Sequence, residues 1–564
     1  MPYAPRSTWL YLLGVIVTIY LTLSLYQINL PGLHYDEAFE AVPALQLLRG
    51  QSVTAFRNSG LVINGQLFPW MTQDYIGAIN TYLAIPFIAV MGPTTAALRV
   101  MSILVGLVTL GLTYLLTAQL SGQRWPGLAA AALLAVDPTF IFWNRQGIFV
   151  TAVTAAIGLA AVLCWWHRWQ SGGKRWSAAG AFCFGLGLYA KLLFVWLIAA
   201  LIGAVILLNW RQLSSRHLFQ QWRVEIGLII GMFLFGCWPL LIYNLQTGGT
   251  FLNVSRNATT SYYGVNNLAF GPNLIERLNQ FFVLLSGSHL WYLGTTISNP
   301  LPVLGFGAAM FVVLFLALSS LWPKSLPGRN SQQAQNAATI KIVLFPFVVI
   351  GLVIMASIGT VSALWITHFA VLMPWPAIAI ALSGWWLSQF IIYNLRFMVY
   401  VLRGFLAIVM GLLLLTNFSS TVRYHTALSV SGGLSAHSDA VYDMSEWLAS
   451  HAAGPVVAMD WGLAAPITYL TDGRVTPTEV FGYVWQPDQD LTLRLQNFIA
   501  QPETLYLWRA PDEIIFDRSP QFKALYRPLN LEETIEAAFY ERSGRPILGV
   551  TRLVPKGSAA NPPK

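Results

Sequence analysis

Seven carboxylates stand in the first 416 residues of this 564-residue chain: Asp36, Glu37, Glu40, Asp74, Asp137, Glu225 and Glu276. Two are adjacent, in Leu33-His34-Tyr35-Asp36-Glu37-Ala38. A carboxylate held beside an acceptor hydroxyl takes its proton as the oxygen attacks, so Asp36, with Glu37, is the candidate catalytic acid–base group. The plain alternative is that Asp36 caps a helix starting at residue 37, with Glu40 in its first turn. The two roles are compatible, because a cap also fixes the direction of its side chain. Complementary cations are Arg145, in Trp143-Asn144-Arg145-Gln146-Gly147, and Lys191, in Gly187-Leu188-Tyr189-Ala190-Lys191. A charge at mid-bilayer costs about 2.5–3.5 kcal/mol and less toward the edge, so each is a candidate by position. Paired, they suit a lipid phosphate; snorkelling to headgroups is the competing reading, and the one preferred for Arg99. His368, in Trp365-Ile366-Thr367-His368-Phe369, is either structural, a phosphate ligand or a proton shuttle. Weaker substrate-binding candidates are His34, Asp74, Tyr75, Asp137, Glu276 and His289, the last beside Trp291. Asp137-Pro138 also reads as a helix cap or break.

The elements that must position these residues are membrane helices. Hydrophobic residues make up 56% of the chain and charged residues 10%, against about 25% charged in soluble proteins; mean hydropathy is +0.58. Residues 1–416 carry 20 Lys/Arg and 7 Asp/Glu, while 417–564 carry 12 and 16. The net +9 therefore reports basic loops at a membrane and not a nucleic-acid footprint. All three cysteines lie in apolar runs, which excludes a disulfide framework or CxxC metal site in the polar tail.

Apolar runs near 9–28, 95–118, 126–143, 148–167, 176–190, 192–209, 224–243, 301–322, 342–358, 367–390 and 398–416 predict about eleven spans. Lys191 interrupts the least certain stretch. No cleavage site follows the first run, so it reads as a retained span. Thirteen of the 20 basic residues fall on one side when the N-terminus is cytoplasmic, which predicts a C-terminal domain outside. The domains read as 1–416, with outer loops 29–94 and 244–300, an α/β domain 417–554, and a disordered tail 555–564. Helices lying along the surface are expected at His34–Arg49, Tyr75–Met91 and Leu274–Leu285. In the tail, a helix at Ser438–His451, strands at Pro455–Asp460, Thr504–Trp508 and Ile514–Phe516, and a hairpin turning at Ser543-Gly544 are predicted.

This arrangement resembles the GT-C class of membrane glycosyltransferases, in the branch of the protein O-mannosyltransferases and lipid A aminoarabinose transferases (family 39-like). The resemblance rests on His34-Tyr35-Asp36-Glu37-Ala38, Tyr75-Ile76-Gly77 through Leu98-Arg99, Asn144-Arg145-Gln146-Gly147, Gly185-Leu186-Gly187 through Lys191, and Trp238-Pro239 with Tyr243-Asn244. It implies inverting transfer of a sugar from a polyprenyl phosphate to a glycan, lipid or protein acceptor at the extracytoplasmic face of the plasma membrane. It implies that Asp36 is the base and that Glu37 orients it or meets the acceptor, and Lys191 matches a lysine of the aminoarabinose branch; by position, Arg145, Lys191 and His368 are the candidates for the donor phosphate. No metal ligand is assigned; the class has metal-dependent and metal-free members, so a divalent metal stays open. The aminoarabinose branch has Lys before Pro where this chain reads Gln73-Asp74-Tyr75, and Asp where it reads Phe149-Val150-Thr151. A rival reading, a secondary transporter of a small polar or anionic solute, calls for half-repeats and mid-depth ionisable groups; the sequence shows no repeat, and its charges gather at one rim.

Overall fold

The computed structural model describes residues 6–557 except 54, 148–150, 214–215, 322–329, 360–364, 395–398 and 488. The expected start of the fourth span, three of the inner basic residues (Lys324, Arg329, Arg396) and most of the 555–564 tail thus lie outside the described residues. The chain starts with α1 (Arg6–Leu25), then α2 (Tyr35–Leu48), two small antiparallel hairpins and α3 (Ile79–Met91). The hairpins are β1–β2 (Gly60–Ile63, Gln66–Pro69) and β3–β4 (Met71–Gln73, Ile76–Gly77). Next come α4 (Thr95–Ser121), α5 (Arg124–Ala135), α6 (Pro138–Gln146), α7 (Thr151–Ser171), α8 (Lys174–Ala190), α9 (Val195–Leu213) and α10 (Arg216–Thr247). The second long loop holds α11 (Gly249–Arg256) and α12 (Phe270–Ser286). The bundle closes with α13 (Leu301–Leu321), α14 (Asn330–Ser357), α15 (Pro374–Asn394) and α16 (Val399–Ser431).

Among the described residues, seven helices are long and apolar enough to cross a bilayer, nine if each bent pair counts as one span. That is fewer than the eleven expected. The other two runs do form helices, but α8 has only 17 residues and α7 ends in the polar His167-Arg168-Trp169-Gln170. The run expected at 126–143 is not straight: α5 and α6 meet at 67°. Pro138 has no amide to continue α5, and the Asp137 carboxylate accepts the Phe140 amide at 2.8 Å to start α6. Lys191 likewise breaks the next pair, in extended conformation after α8.

The C-terminal domain runs α17 (Ala440–His451), β5 (Val456–Ala458), α18 (Ala464–Leu470), β6 (Thr478–Glu479), α19 (Leu491–Ile499), β7 (Leu505–Arg509), α20 (Ser519–Tyr526), β8 (Leu531–Tyr540), β9 (Pro546–Pro555). Its sheet has the order β6-β5-β7-β9-β8, with β5 parallel to β6 and β7 and β9 antiparallel to β7 and β8. Side chains alternate across a strand. Val456, Ala458, Leu505 and Leu507 face α17 and α18, while Val457 and Tyr506 pack with α19 and α20. Helices therefore cover both faces, giving the expected α/β sandwich. Two tail expectations need correction. Ile514–Phe516 is not a strand, because the Ile515 and Phe516 amides both donate to the buried Asp460 carboxylate at 2.8 Å. The helix α16 continues past 416 to Ser431, so the expected boundary falls inside a helix.

This domain sits on α2. Small and apolar residues at 35, 38, 41 and 45 form a helical stripe, buried against Leu98 and Met101 of α4 and Ala465 and Tyr469 of α18. Burying Leu45 alone contributes about 1.5–3 kcal/mol. Tyr469 donates to the Thr94 carbonyl at 3.1 Å and Tyr442 to that of Asn29 at 2.7 Å.

Candidate active site

The first turn of α2 is built by reciprocal capping. His34, not Asp36, is the N-cap: its Nδ1 accepts the Asp36 amide at 3.2 Å, and Glu37 Oε1 accepts the His34 amide at 3.3 Å. Asp36 therefore sits inside the first turn, where a carboxylate also meets the positive end of the helix dipole. Its Oδ2 lies 3.2 Å from His34 Nδ1. Glu37 takes a different course. Arg99 Nε and Nη2 donate to its two oxygens at 3.0 Å each, and neither side chain of the pair is exposed. Arg99 is thus not a snorkelling anchor but the buried counter-ion of Glu37. Both Glu37 oxygens are thus engaged by Arg99, which ties the first turn of α2 to α4.

One turn on, Glu40 shares the face of Asp36 and is buried, accepting from Asn80 Nδ2 at 2.5 Å. Burial pushes its carboxyl up to about 8, Asp36 adding and Asn80 and Lys191 opposing. Lys191, in the break between α8 and α9, is brought down to about 8 by burial, against the pull of Glu40 and Asp36. The backbone explains how a residue 155 positions away reaches α2. Lys191 pairs antiparallel with Ile76 of β4, and the Leu192 amide donates to the Tyr75 carbonyl at 2.9 Å. Gly77 permits this approach, since a Cβ there would stand 2.4 Å from the Tyr189 carbonyl oxygen. Tyr75 lies in the same field: burial and the charges of Tyr263, Asp36, Glu40 and Asp74 hold its hydroxyl protonated, well above the usual value. Glu37, Glu40, Asn80, Ser102 and Gln146 line a small hollow that neither Asp36 nor Lys191 lines.

The remaining sequence candidates separate. Arg145 is fully buried, and its Nη2 donates to the carbonyls of Gln27 and, at 2.9 Å, Leu30. It holds the turn that follows α1 and is not exposed at an open rim. His368 lies in the turn Ile366–Leu372, where the charges of Lys191 and Arg277 both act on it. Asp74 is not free for substrate: Arg57 clamps both oxygens at 2.7 and 2.8 Å, and Tyr243 donates at 2.5 Å, tying the first long loop to α10. Asp137 is the α6 cap. Glu276 is exposed on α12, bonded to Gln280. His289 packs edge-on against Trp143, ring centroids 4.7 Å apart, with its imidazole pushed down to about 3 by burial.

The reading from sequence missed Arg99, Glu40, Asn80 and Arg277 as parts of this region, and everything the C-terminal domain contributes. Tyr35 and Tyr483 share a hydrogen bond of 2.8 Å, and Tyr483 donates to Glu479 at 2.5 Å. Tyr262 of the second loop donates to the Tyr483 carbonyl at 2.6 Å and accepts Trp485 Nε1 on its own carbonyl at 3.1 Å. Glu40 alone left a local signal, its spacing of four from Asp36. Among the described residues no group of three or more His, Cys, Asp or Glu is gathered to hold a metal. The arrangement offers a carboxylate on a capped turn, a lysine whose charge it feels, and, bonded to the neighbouring Tyr35, a chain of aromatic side chains from the C-terminal domain and second loop.

Residues 79–243 match the family described as dolichyl-phosphate-mannose-protein mannosyltransferase. None of the curated proteins compared matches the chain. Two solved structures are similar over nearly all of both chains. Cupriavidus metallidurans ArnT bound to undecaprenyl phosphate has a TM-score of 0.58 at 12% identity, covering 99% of this chain and 100% of that one. The same protein in the apo state has a TM-score of 0.57 at 10% identity, covering 97% and 98%. The chain therefore has the fold of that ArnT over nearly its whole length, and residues 79–243 within it match the mannosyltransferase family model.

Proposed function

We propose that this protein is a membrane glycosyltransferase that moves a hexose or pentose from a polyprenyl phosphate to an acceptor, with inversion at the anomeric carbon. The observation that carries it is Asp36, held on a capped helix turn within charge reach of Lys191, in a chain with the ArnT fold. The undecaprenyl phosphate bound to that ArnT supports a polyprenyl donor here. Asp36 takes the proton of the acceptor hydroxyl as its oxygen bonds to the anomeric carbon and the bond to phosphate breaks. Lys191, with His368 and Arg277 beside it, meets the charge developing on the departing phosphate. Glu37 and Arg99 hold the turn in place. The N-terminus is cytoplasmic and the end bearing the C-terminal domain extracytoplasmic, by the asymmetry of the basic residues. The acceptor is a glycan, lipid or protein.

The test is mass spectrometry of lipid extracts and surface glycans from cells with and without the gene, which identifies the product as a mass increment. Restoring the gene with Asp36→Asn should leave the increment reduced by about 10²-fold or more while the protein accumulates normally. Wild-type product from that variant removes Asp36 as the base.

A further inference from the structure

The contacts around His34 extend into the C-terminal domain. His437, in the turn Ser435–His437, stacks on His34 with centroids 4.2 Å apart and planes 13° from parallel. Tyr292 stacks on its other face at 4.0 Å. The Gly32 amide donates to the His437 carbonyl at 2.8 Å. Trp461 closes the edge of His34 at 5.7 Å. The His437 ring is also fixed about its own axis. Tyr292 donates to Gln146 Oε1 at 2.6 Å, which turns the Gln146 amide nitrogen toward His437 Nδ1, 3.5 Å away.

The stack holds the plane of the His34 ring, and its Nδ1 lies 3.2 Å from both the amide nitrogen and Oδ2 of Asp36. One nitrogen cannot serve both. Unprotonated, Nδ1 accepts the amide and leaves the carboxylate its lone pairs. Protonated, Nδ1 can only donate, and the acceptor in reach is Oδ2 of Asp36. We infer that His437 is a positioning residue of the C-terminal domain which, through His34, keeps the Asp36 carboxylate aimed and available, and that proton uptake by His34 blocks it. The inference rests on the reading of Asp36 as base. The charged and titratable groups facing His34 are Asp36 and Glu37 on α2, Arg99 on α4, His437 on its turn, and Arg509 of β7 behind Trp461.

Cells lacking the gene and carrying variants are grown over a range of external pH, and the gene-dependent mass increment is quantified against protein level. His437→Ala should lower the product on the order of tenfold at neutral pH, as for a reacting group set loose by an ångström or less. His437→Phe, which keeps the stacked ring, should restore it. His34→Asn keeps a capping oxygen for the Asp36 amide but loses the stacked ring and cannot titrate, so its product should be lowered at neutral pH as in His437→Ala and should not fall further at acidic pH where wild-type product falls. Wild-type yield and pH profile in both His437→Ala and His34→Asn would overturn the inference. Asp36→Asn in parallel separates the two levels: if it is inactive while those variants behave as wild type, only the positioning role fails, and if it is active the base assignment fails.

Discussion

Glu40 carries the clearest residue-scale consequence. Its folded pKa, about 8, lies above the ordinary 4.5, so the folded state binds this proton first. Stability is then greatest below pH 4.5 and falls as pH rises toward 8. Lys191 has the opposite error: its folded value of about 8 lies below 10.5, so its cost is present below 8 and fades above it. Together they place a minimum of stability near pH 8. Glu40→Gln keeps an oxygen for Asn80 and removes the carboxylate limb. Its melting temperature in detergent should exceed wild type at pH 8, by the equivalent of roughly 1–3 kcal/mol, and converge with it near pH 5. The gain is partial because Lys191 loses a favourable neighbour; a lower melting point at pH 8 would mean that Glu40 and Lys191 form a net stabilising pair. The sequence shows Asp36 and Glu37 plainly, because acids are scarce in apolar sequence. It does not show that Glu40 is buried or that Glu37 is neutralised, because both depend on residues far along the chain.

At the scale of elements, α2 is held to α4 by the buried Glu37–Arg99 pair. Removing one member strands the other, at roughly 3–5 kcal/mol. Arg99→Leu should therefore lower the yield of monodisperse protein after detergent extraction, and Glu37→Leu combined with Arg99→Leu should recover much of it. Recovery without activity would be consistent with an orienting role for Glu37; no loss in Arg99→Leu would show that the pair is dispensable to folding. Element breaks were readable where a residue forbids continuation, as Pro138 does after α5. The cap of α2 was misread by two residues, since Asp is the commoner cap and only the fold shows that His34 and Glu37 cap each other.

For the whole molecule, the decisive feature is the seating of the C-terminal domain on the 30–37 segment. Gly32 has no space for a side chain: a Cβ would stand 2.1 Å from the Ser438 carbonyl oxygen. Gly32→Ala should push the domain off this segment, abolish most product and raise protease cleavage after Ser431, while the helical content measured by circular dichroism is kept. Unchanged cleavage and product would mean that the contact yields without consequence.

Composition and hydrophobic period alone settled that the chain is a multi-pass helical protein with a polar α/β tail, because burial in lipid or in a sheet constrains every few residues locally. The acidic dyad and the lysine at a helix break were equally visible, as charges in apolar surroundings. Which acid is free, which arginine pairs with it, and which histidine stacks over it were decided by tertiary structure, because those contacts join residues 62 to 403 positions apart and no local spacing encodes them.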